Sequence, residues 1–216
     1  MIINNLTEAC DFVCDWLGVE QSYPPKPSIP TLGLPTSIEY LANRFGQLWQ
    51  DNNHPVKAVL NHPDCPLSLF EFQDIIVSPN KYSANSEGVI PFIVENQGVW
   101  QFGFNPSKGD KLFVSGDWNI DDGNIDRESW RQLDATVEDA LVFVLLGNLC
   151  LMCSEEEDWD FDEESGPLDG NERLLLWSHP EWDEFDGFWT NSSQTLIHYS
   201  QSWLTVRKRK WPVMRQ

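Results

Sequence analysis

The chain has 216 residues, and its hydrophobic content of 41% is enough to build a substantial core. The formal net charge of −20 repels phosphate backbones, so the composition argues against nucleic-acid binding and favours a basic partner. No stretch approaches the ~20 apolar residues of a membrane span. No signal peptide is predicted, and an odd number of cysteines, five, favours a reducing cytoplasm over a disulfide framework.

Two helices are predicted in the first 50 residues. Thr7 is a candidate N-cap for a helix with apolar residues at 3.6-residue spacing, which Gly18 would end. Four prolines between residues 24 and 30 then predict an extended linker. A second helix is expected from about Thr36 to Trp49.

The middle of the chain predicts an antiparallel sheet. Residues 69–72 and 74–78 have strand character, and alternating apolar residues follow at 90–95, 98–105 and 111–116. Because the connections are short, successive strands should pair in order. Next, Thr136 should cap a helix over 137–152 that is apolar nearly all round and therefore buried, most simply against the sheet.

The composition changes after Cys153, which divides the chain into a predicted core over residues 1–153 and an extension over residues 154–216. Residues 154–171 are strongly acidic and predict a solvated loop. Beyond them, residues 174–177 have core character. Residues 195–199 favour a helix if the pattern continues through Leu204.

One segment resembles a known family. Phe92 is followed by Glu95-Asn96-Gln97-Gly98-Val99 and then by Gly103, and this spacing resembles the SUKH superfamily of bacterial toxin-immunity and regulatory proteins. Leu34-Pro35 and Phe45-Gly46 match the helix that the family places upstream, whereas Asp110 is not followed by the family's two prolines. The resemblance covers roughly residues 30–153. It implies an α+β fold, a twisted antiparallel sheet with helices packed on it, to which this chain adds its C-terminal extension.

The polar turn of this segment has two interpretations. Asn and Gln side chains bond nearby backbone groups in turns, glycine permits a positive φ, and Glu95 could accept from a buried backbone donor, all of which is structural. Alternatively the turn contacts a partner, with tryptophans as anchors. On that interpretation the predicted partner-binding residues are Glu95, Gln97, Trp100, Asp117, Trp118 and Asp121.

Other chemistry-bearing patterns are weak. The pairs Cys10/Cys14 and Cys150/Cys153 have a spacing that zinc could use, yet no histidine lies close in sequence and core packing is the simpler interpretation. The acidic run from Asp117 has glycine at the seventh position of a calcium loop rather than the sixth. An enzyme would have to use Glu71, Glu95 or surface carboxylates as a base. We therefore predict no catalytic residue, metal site or cofactor.

The expected function is that of a non-enzymatic, cytoplasmic protein-binding module. The resemblance and the negative charge together favour an immunity protein that neutralises a basic toxin domain, a nuclease or a deaminase, by occlusion. The alternative is a regulatory or scaffold protein that binds an endogenous protein partner. No nucleic-acid or membrane partner is expected, and the sequence does not indicate the oligomeric state.

Overall fold

A computed structural model describes residues 2–19, 33–46, 69–70, 72–116, 129–154, 173–180, 187–200 and 204–208. Within these ranges the chain has the predicted α+β fold. The helices are α1 (Leu6–Leu17), α2 (Thr36–Phe45) and α3 (Val137–Cys153). A first antiparallel sheet contains β1 (Asp74–Ile76), β2 (Ile90–Glu95), β3 (Trp100–Phe104), β4 (Lys111–Gly116) and β5 (Arg131–Thr136). A second contains β6 (Leu174–Trp177), β7 (Phe188–Thr190), β8 (Leu196–Tyr199) and β9 (Leu204–Arg207).

Helix α1 begins earlier than the sequence predicts. Asn5, not Thr7, is the N-cap, and its side-chain oxygen accepts from the backbone N–H of Glu8 at 2.9 Å. Thr7 lies inside the first turn. Gly18 ends the helix as predicted, because its φ of 68° is the left-handed conformation that glycine adopts without steric cost.

The first sheet is a meander in which each strand pairs with the next along the chain. One transverse row, Ile76–Ile93–Phe102–Val114, crosses four strands, and its members are all at most 1% exposed. The predicted strand at 69–72 is wrong, since Leu69 and Phe70 form a turn. The carbonyl of Phe70 accepts from the N–H of Ile76 at 2.8 Å, so this turn covers part of the free edge of β1.

Helix α3 is buried between the two sheets. Thr136 caps it as predicted: its hydroxyl accepts from the N–H of Asp139, whose carboxylate accepts from the N–H of Thr136. The helix contacts β3, β4 and β5 of the first sheet and β8 and β9 of the second. Phe143 packs against Trp177 and Tyr199 of the second sheet. A helix that is apolar all round thus has a sheet on each of two sides.

The helix expected over residues 195–204 is also wrong, since the structure forms strands β8 and β9 there. Two rows of buried side chains, Phe188–Tyr199–Leu204 and Thr190–Ile197–Val206, cross β7, β8 and β9. The alternation that separates Ile197 and Tyr199 from the half-buried His198 has a period of two. Only four residues of β8 carry this pattern, too few to distinguish a strand from a helix by periodicity.

The described parts of the two predicted regions share one hydrophobic cluster. The N–H of Ile3 donates to the carbonyl of Leu176 at 2.7 Å, which attaches the N-terminal segment to the edge strand β6. Lys208 after β9 forms an ion pair of 2.6 Å with Asp15 of α1. The segment before α1 is therefore bonded to the second sheet, and the residue after β9 is bonded to α1.

Several expectations fall outside the described residues. These are the proline-rich linker at 24–30, the last part of the helix expected to reach Trp49, the acidic loop after residue 154, and Asp117, Trp118 and Asp121.

Candidate functional site

The candidate site is the turn between β2 and β3, which the sequence predicted. Its backbone is held by Glu95, whose Oε2 accepts from the N–H groups of Gln97 at 2.9 Å and Val99 at 3.2 Å. The carbonyl of Glu95 also accepts from the N–H of Gly98, which has a φ of 71°. Glu95 is only 6% exposed. It therefore has the structural role of the first interpretation, in which it accepts from backbone donors of the turn. Direct contact of Glu95 with a partner stays a prediction.

Gln73, just before β1, holds the turn from the side. Its Nε2 donates to Glu95 Oε1 at 2.9 Å, and its carbonyl accepts from the N–H of Asn96 at 2.9 Å. The turn is therefore fixed by main-chain and side-chain bonds from two neighbouring strands, while Asn96 and Gln97 are exposed. An exposed loop that is already ordered loses little conformational entropy on binding. Sequence reasoning does not identify Gln73, since a lone glutamine in a loop has no distinguishing pattern.

Trp100 lies next to this turn at the start of β3. It is half-buried, and its ring centroid lies 4.7 Å from that of Phe102. In the register, Trp100 pairs with Gly116, the last residue of β4. Gly116 has a φ of 92°, and a Cβ there would lie 2.1 Å from the carbonyl oxygen of Val99, so only glycine fits. Glu95, Gln97 and Trp100 are thus together at one end of the first sheet.

The last glycine of the family-like segment, Gly103, is required for packing on the outer face of the sheet. A Cβ at Gly103 would lie 2.6 Å from Val89 Cγ1 and 2.7 Å from Cζ3 of the Trp130 ring. Trp130 precedes β5, a strand that the sequence analysis did not predict. The close approach of this indole accounts for a glycine inside a strand, which is otherwise unfavourable.

Replacing Gly103 with alanine should lower the free energy of unfolding by about 1–3 kcal/mol, because the new methyl group overpacks against Trp130 and Val89. Gly147 in α3 is the matched control: a Cβ there would lie 3.8–3.9 Å from Tyr199 and Phe188, an ordinary contact. Gly147→Ala should raise stability by up to about 1 kcal/mol through helix propensity. Urea unfolding measures both. A Gly103→Ala protein as stable as the parent would show that Trp130 does not hold this position.

Beneath the turn lies a buried polar cluster. Asp74 of β1 pairs in register with Glu95 and is 7% exposed, and its Oδ1 has no hydrogen-bond partner among the residues that the structure describes. Burial, and secondarily the charge of Glu95, raises the pKa of Asp74 to about 7. Tyr199 of the second sheet is close enough to Asp74 that this charge, after burial, helps to raise the pKa of the phenol. Two carboxyl groups therefore lie under the turn in a poorly solvated environment.

Asn148 of α3 binds the same strand. Its amide nitrogen donates to the carbonyls of Asp74 at 2.7 Å and Leu69 at 2.9 Å, and its oxygen accepts from the N–H of Asp74 at 3.1 Å. Asn148 is completely buried. The side chain thus takes the place of a neighbouring strand at the edge of β1 and fixes the turn end of the sheet to the helix.

The four cysteines that the structure describes are buried thiols. Cys10, Cys14, Cys150 and Cys153 are buried and are not in disulfides. Burial raises the pKa of the Cys14 and Cys150 thiols, which disfavours the thiolate that metal binding and nucleophilic attack need. Within the described ranges no group of three His, Cys, Asp or Glu side chains is placed to hold a metal ion. No helix among the described residues is long and apolar enough to cross a membrane.

The arrangement offers an ordered, exposed polar turn beside a half-buried tryptophan. Asp117, Trp118 and Asp121, the other predicted contact residues, follow β4 but lie outside the described residues. Their part in a contact stays a prediction. The comparisons with protein-family models, with curated proteins and with solved structures found no match for this chain.

Proposed function

We propose that this chain is a cytoplasmic, non-enzymatic protein-binding module of the SUKH type. Its function is to neutralise a basic toxin domain, a nuclease or a deaminase, by covering its active surface. The observation that carries the proposal is the β2–β3 turn, where the family-like segment presents exposed Asn96 and Gln97 on a backbone fixed by Glu95 and Gln73. Rigid, exposed polar turns beside an aromatic anchor are typical of binding surfaces.

The charge of the chain supports a basic partner. A net charge of −20 accelerates association with a cationic surface and disfavours acidic competitors. Enzymes that act on nucleic acids need basic surfaces to bind phosphates. An acidic protein that occupies such a surface blocks the substrate without any chemical step.

Replacing Trp100 with alanine should weaken partner binding by about tenfold or more, because truncating an aromatic anchor commonly costs 1–2 kcal/mol or more of binding free energy. The control is Trp189→Ala, which truncates another half-buried tryptophan, on β7 of the second sheet. It should leave the affinity within about twofold of the parent, as expected for a residue outside the contact. Titration calorimetry of the folded variants measures this. Equal losses in the two variants would contradict a contact at Trp100.

The function itself is tested by affinity capture from a lysate of the source organism at low and at moderate salt. The captured protein is identified by mass spectrometry, purified and assayed for nuclease or deaminase activity with and without this chain. We expect a basic enzyme that elutes as the salt concentration rises and is inhibited at an equimolar ratio. A salt-resistant partner without such an activity would overturn the proposal and favour a scaffold. An enzyme that stays active when bound would overturn occlusion.

A further inference from the structure

The side chains of Asp74 and Glu95 lie side by side in the interior of the first sheet. The two residues are register partners on β1 and β2, and they are 7% and 6% exposed. The backbone N–H and carbonyl of Asp74 both bond to Asn148, on the side of β1 away from β2. Asp74 and Glu95 are therefore a non-hydrogen-bonded pair. In antiparallel sheets such pairs bring opposite side chains closest, with Cα atoms about 4.5 Å apart.

The two carboxyl groups differ in the hydrogen bonds that they accept. Glu95 Oε2 accepts from the N–H groups of Gln97 and Val99. Its Oε1 accepts from Gln73 Nε2. Asp74 Oδ1 is buried and accepts from no residue in the described ranges. A buried charged oxygen without a donor is unfavourable, so a proton bound by the pair resides on Asp74 rather than on Glu95.

Ionisation of Asp74 places two negative charges in this close pair. Burial, and secondarily the charge of Glu95, raises the pKa of Asp74 to about 7, so its proton leaves in the neutral pH range. Tyr199 also lies near Asp74, and Cys150 lies near Tyr199, but burial raises the pKa of both groups and keeps them neutral. Like charges opposite each other on neighbouring strands repel, and poor solvation strengthens the repulsion.

The repulsion displaces Glu95 more easily than Asp74. Asp74 is fixed to helix α3 by two backbone bonds to the completely buried Asn148. Glu95 is the last residue of β2, and its carboxylate bonds the amides of a turn whose residues Asn96 and Gln97 are exposed. Water can replace the carboxylate as the acceptor of these amides. Movement of the Glu95 side chain towards solvent therefore separates the two charges and releases the turn.

We infer that the Asp74–Glu95 pair is a proton-dependent switch of the β2–β3 turn. With a proton on Asp74, Glu95 bonds the turn amides and the turn is ordered. When Asp74 has released its proton to solvent, the Glu95 carboxylate leaves those amides and the turn opens. The inference goes beyond the proposed function, because it concerns the free chain and holds whatever the partner is.

The turn at Asn85 provides a matched control within the same chain. Asn85 Oδ1 accepts from the N–H groups two and four residues later, those of Glu87 and Val89, both at 2.9 Å. Glu95 Oε2 accepts from the same relative positions in the β2–β3 turn. The acceptor at Asn85 is an uncharged amide, so an ionisation in the neutral range does not act on it directly.

Hydrogen exchange followed by NMR tests the switch on the free chain at pH 6 and pH 8. The readout is the protection factor of each amide, which is corrected for the intrinsic increase of exchange with pH. The protection factors of Gln97 and Val99 should fall about tenfold between the two pH values, and those of Glu87 and Val89 by less than about twofold. Unchanged protection in the β2–β3 turn, or an equal fall in both turns, would overturn the inference.

Two variants assign the fall in protection to the carboxyl pair. Asp74→Asn cannot ionise, and Glu95→Gln keeps a side-chain oxygen as an acceptor for the turn amides without its charge. In each variant the protection of the β2–β3 turn should be the same at pH 6 and pH 8 within about twofold. A tenfold fall that persists in either folded variant would contradict the switch. Neither measurement involves a partner, so its outcome is independent of the proposed function.

Discussion

Replacing Asn148 with leucine should lower the free energy of unfolding by about 3–6 kcal/mol, although leucine has nearly the same shape. The amide serves three buried backbone groups, the N–H and carbonyl of Asp74 and the carbonyl of Leu69. Each buried group left without a partner costs about 1–3 kcal/mol. Urea unfolding measures the loss. Hydrogen exchange should show that the amides of β1 open first, because the helix no longer holds this edge of the sheet.

Asn191 provides a matched control for this prediction. It lies in the turn between β7 and β8, and its Oδ1 accepts from the N–H groups of Thr195 at 2.8 Å and Leu196 at 3.2 Å. Water can reach this turn more easily, so Asn191→Ala should cost only about 1–2 kcal/mol. If Asn148→Leu were no more harmful than Asn191→Ala, the bonds to β1 would contribute little and the edge of β1 would be held by packing alone.

Asn148 also shows which part of a buried hydrogen-bond network the sequence predicts and which part it does not. A polar amide in an otherwise apolar run is expected to be buried and therefore to have hydrogen-bond partners. Its position in α3 follows from periodicity. The groups it bonds do not, because they lie more than seventy residues away, on β1 and in the turn before it. Local sequence patterns predict which helix or strand contains such a residue, but they do not predict its hydrogen-bond partners far away in the chain.

The two sheets differ in how well the sequence predicts them. Strands β2 and β4 have six residues each and are recognisable from their length and apolar content, and their short connections fix the pairing order. Strands β6 to β9 have only three or four residues each, and β5 has just two buried side chains, Leu133 and Ala135. The apolar circumference of α3 implies a second covering layer, whereas the sequence predicts only the first sheet.

The candidate site likewise has one part that the sequence predicts and one part that it does not. The Glu95 turn follows from local chemistry, because a carboxylate two and four residues before free N–H groups can accept from both. Gln73 and Trp130 reach the same sheet from elsewhere in the chain and have no local signature. The sequence therefore predicts the shape of the turn, while the contacts that hold it and cover it come from the tertiary structure.

Stability should fall as the pH rises from about 4 to about 7, and Asp74 should be the largest single cause. Its pKa is raised to about 7 in the folded state from an ordinary value of 3.8, so the folded chain binds more protons in this window. The stabilising contribution of the protonated carboxyl is complete below pH 3.8 and is lost as the pH passes through 7. Three pKa units correspond to about 4 kcal/mol. Asp74→Asn removes the charge, so it should be more stable than the parent at pH 8 and similar to it at pH 4.

Asp110 provides a control that distinguishes the effect of Asp74 from the effects of other acidic groups. Partial desolvation, and then the charges of Glu138 and Asp139, raises the pKa of Asp110 to about 6 although the residue is exposed. Its contribution therefore has the same sign, is smaller because solvent screens it, and ends about one pH unit lower. Urea unfolding from pH 4 to pH 8 should show a slope between pH 6 and 7 in Asp110→Asn and a much weaker one in Asp74→Asn. Glu95 faces Asp74, so its charge acts on the same equilibrium. Burial raises the pKa of Tyr199 and of Cys150, so these two groups stay neutral over this pH range and do not contribute a charge. If Asp74→Asn kept the full slope, the carboxyl would have to be ionised and solvated in the folded chain, contrary to the burial of its unpartnered oxygen beneath the turn.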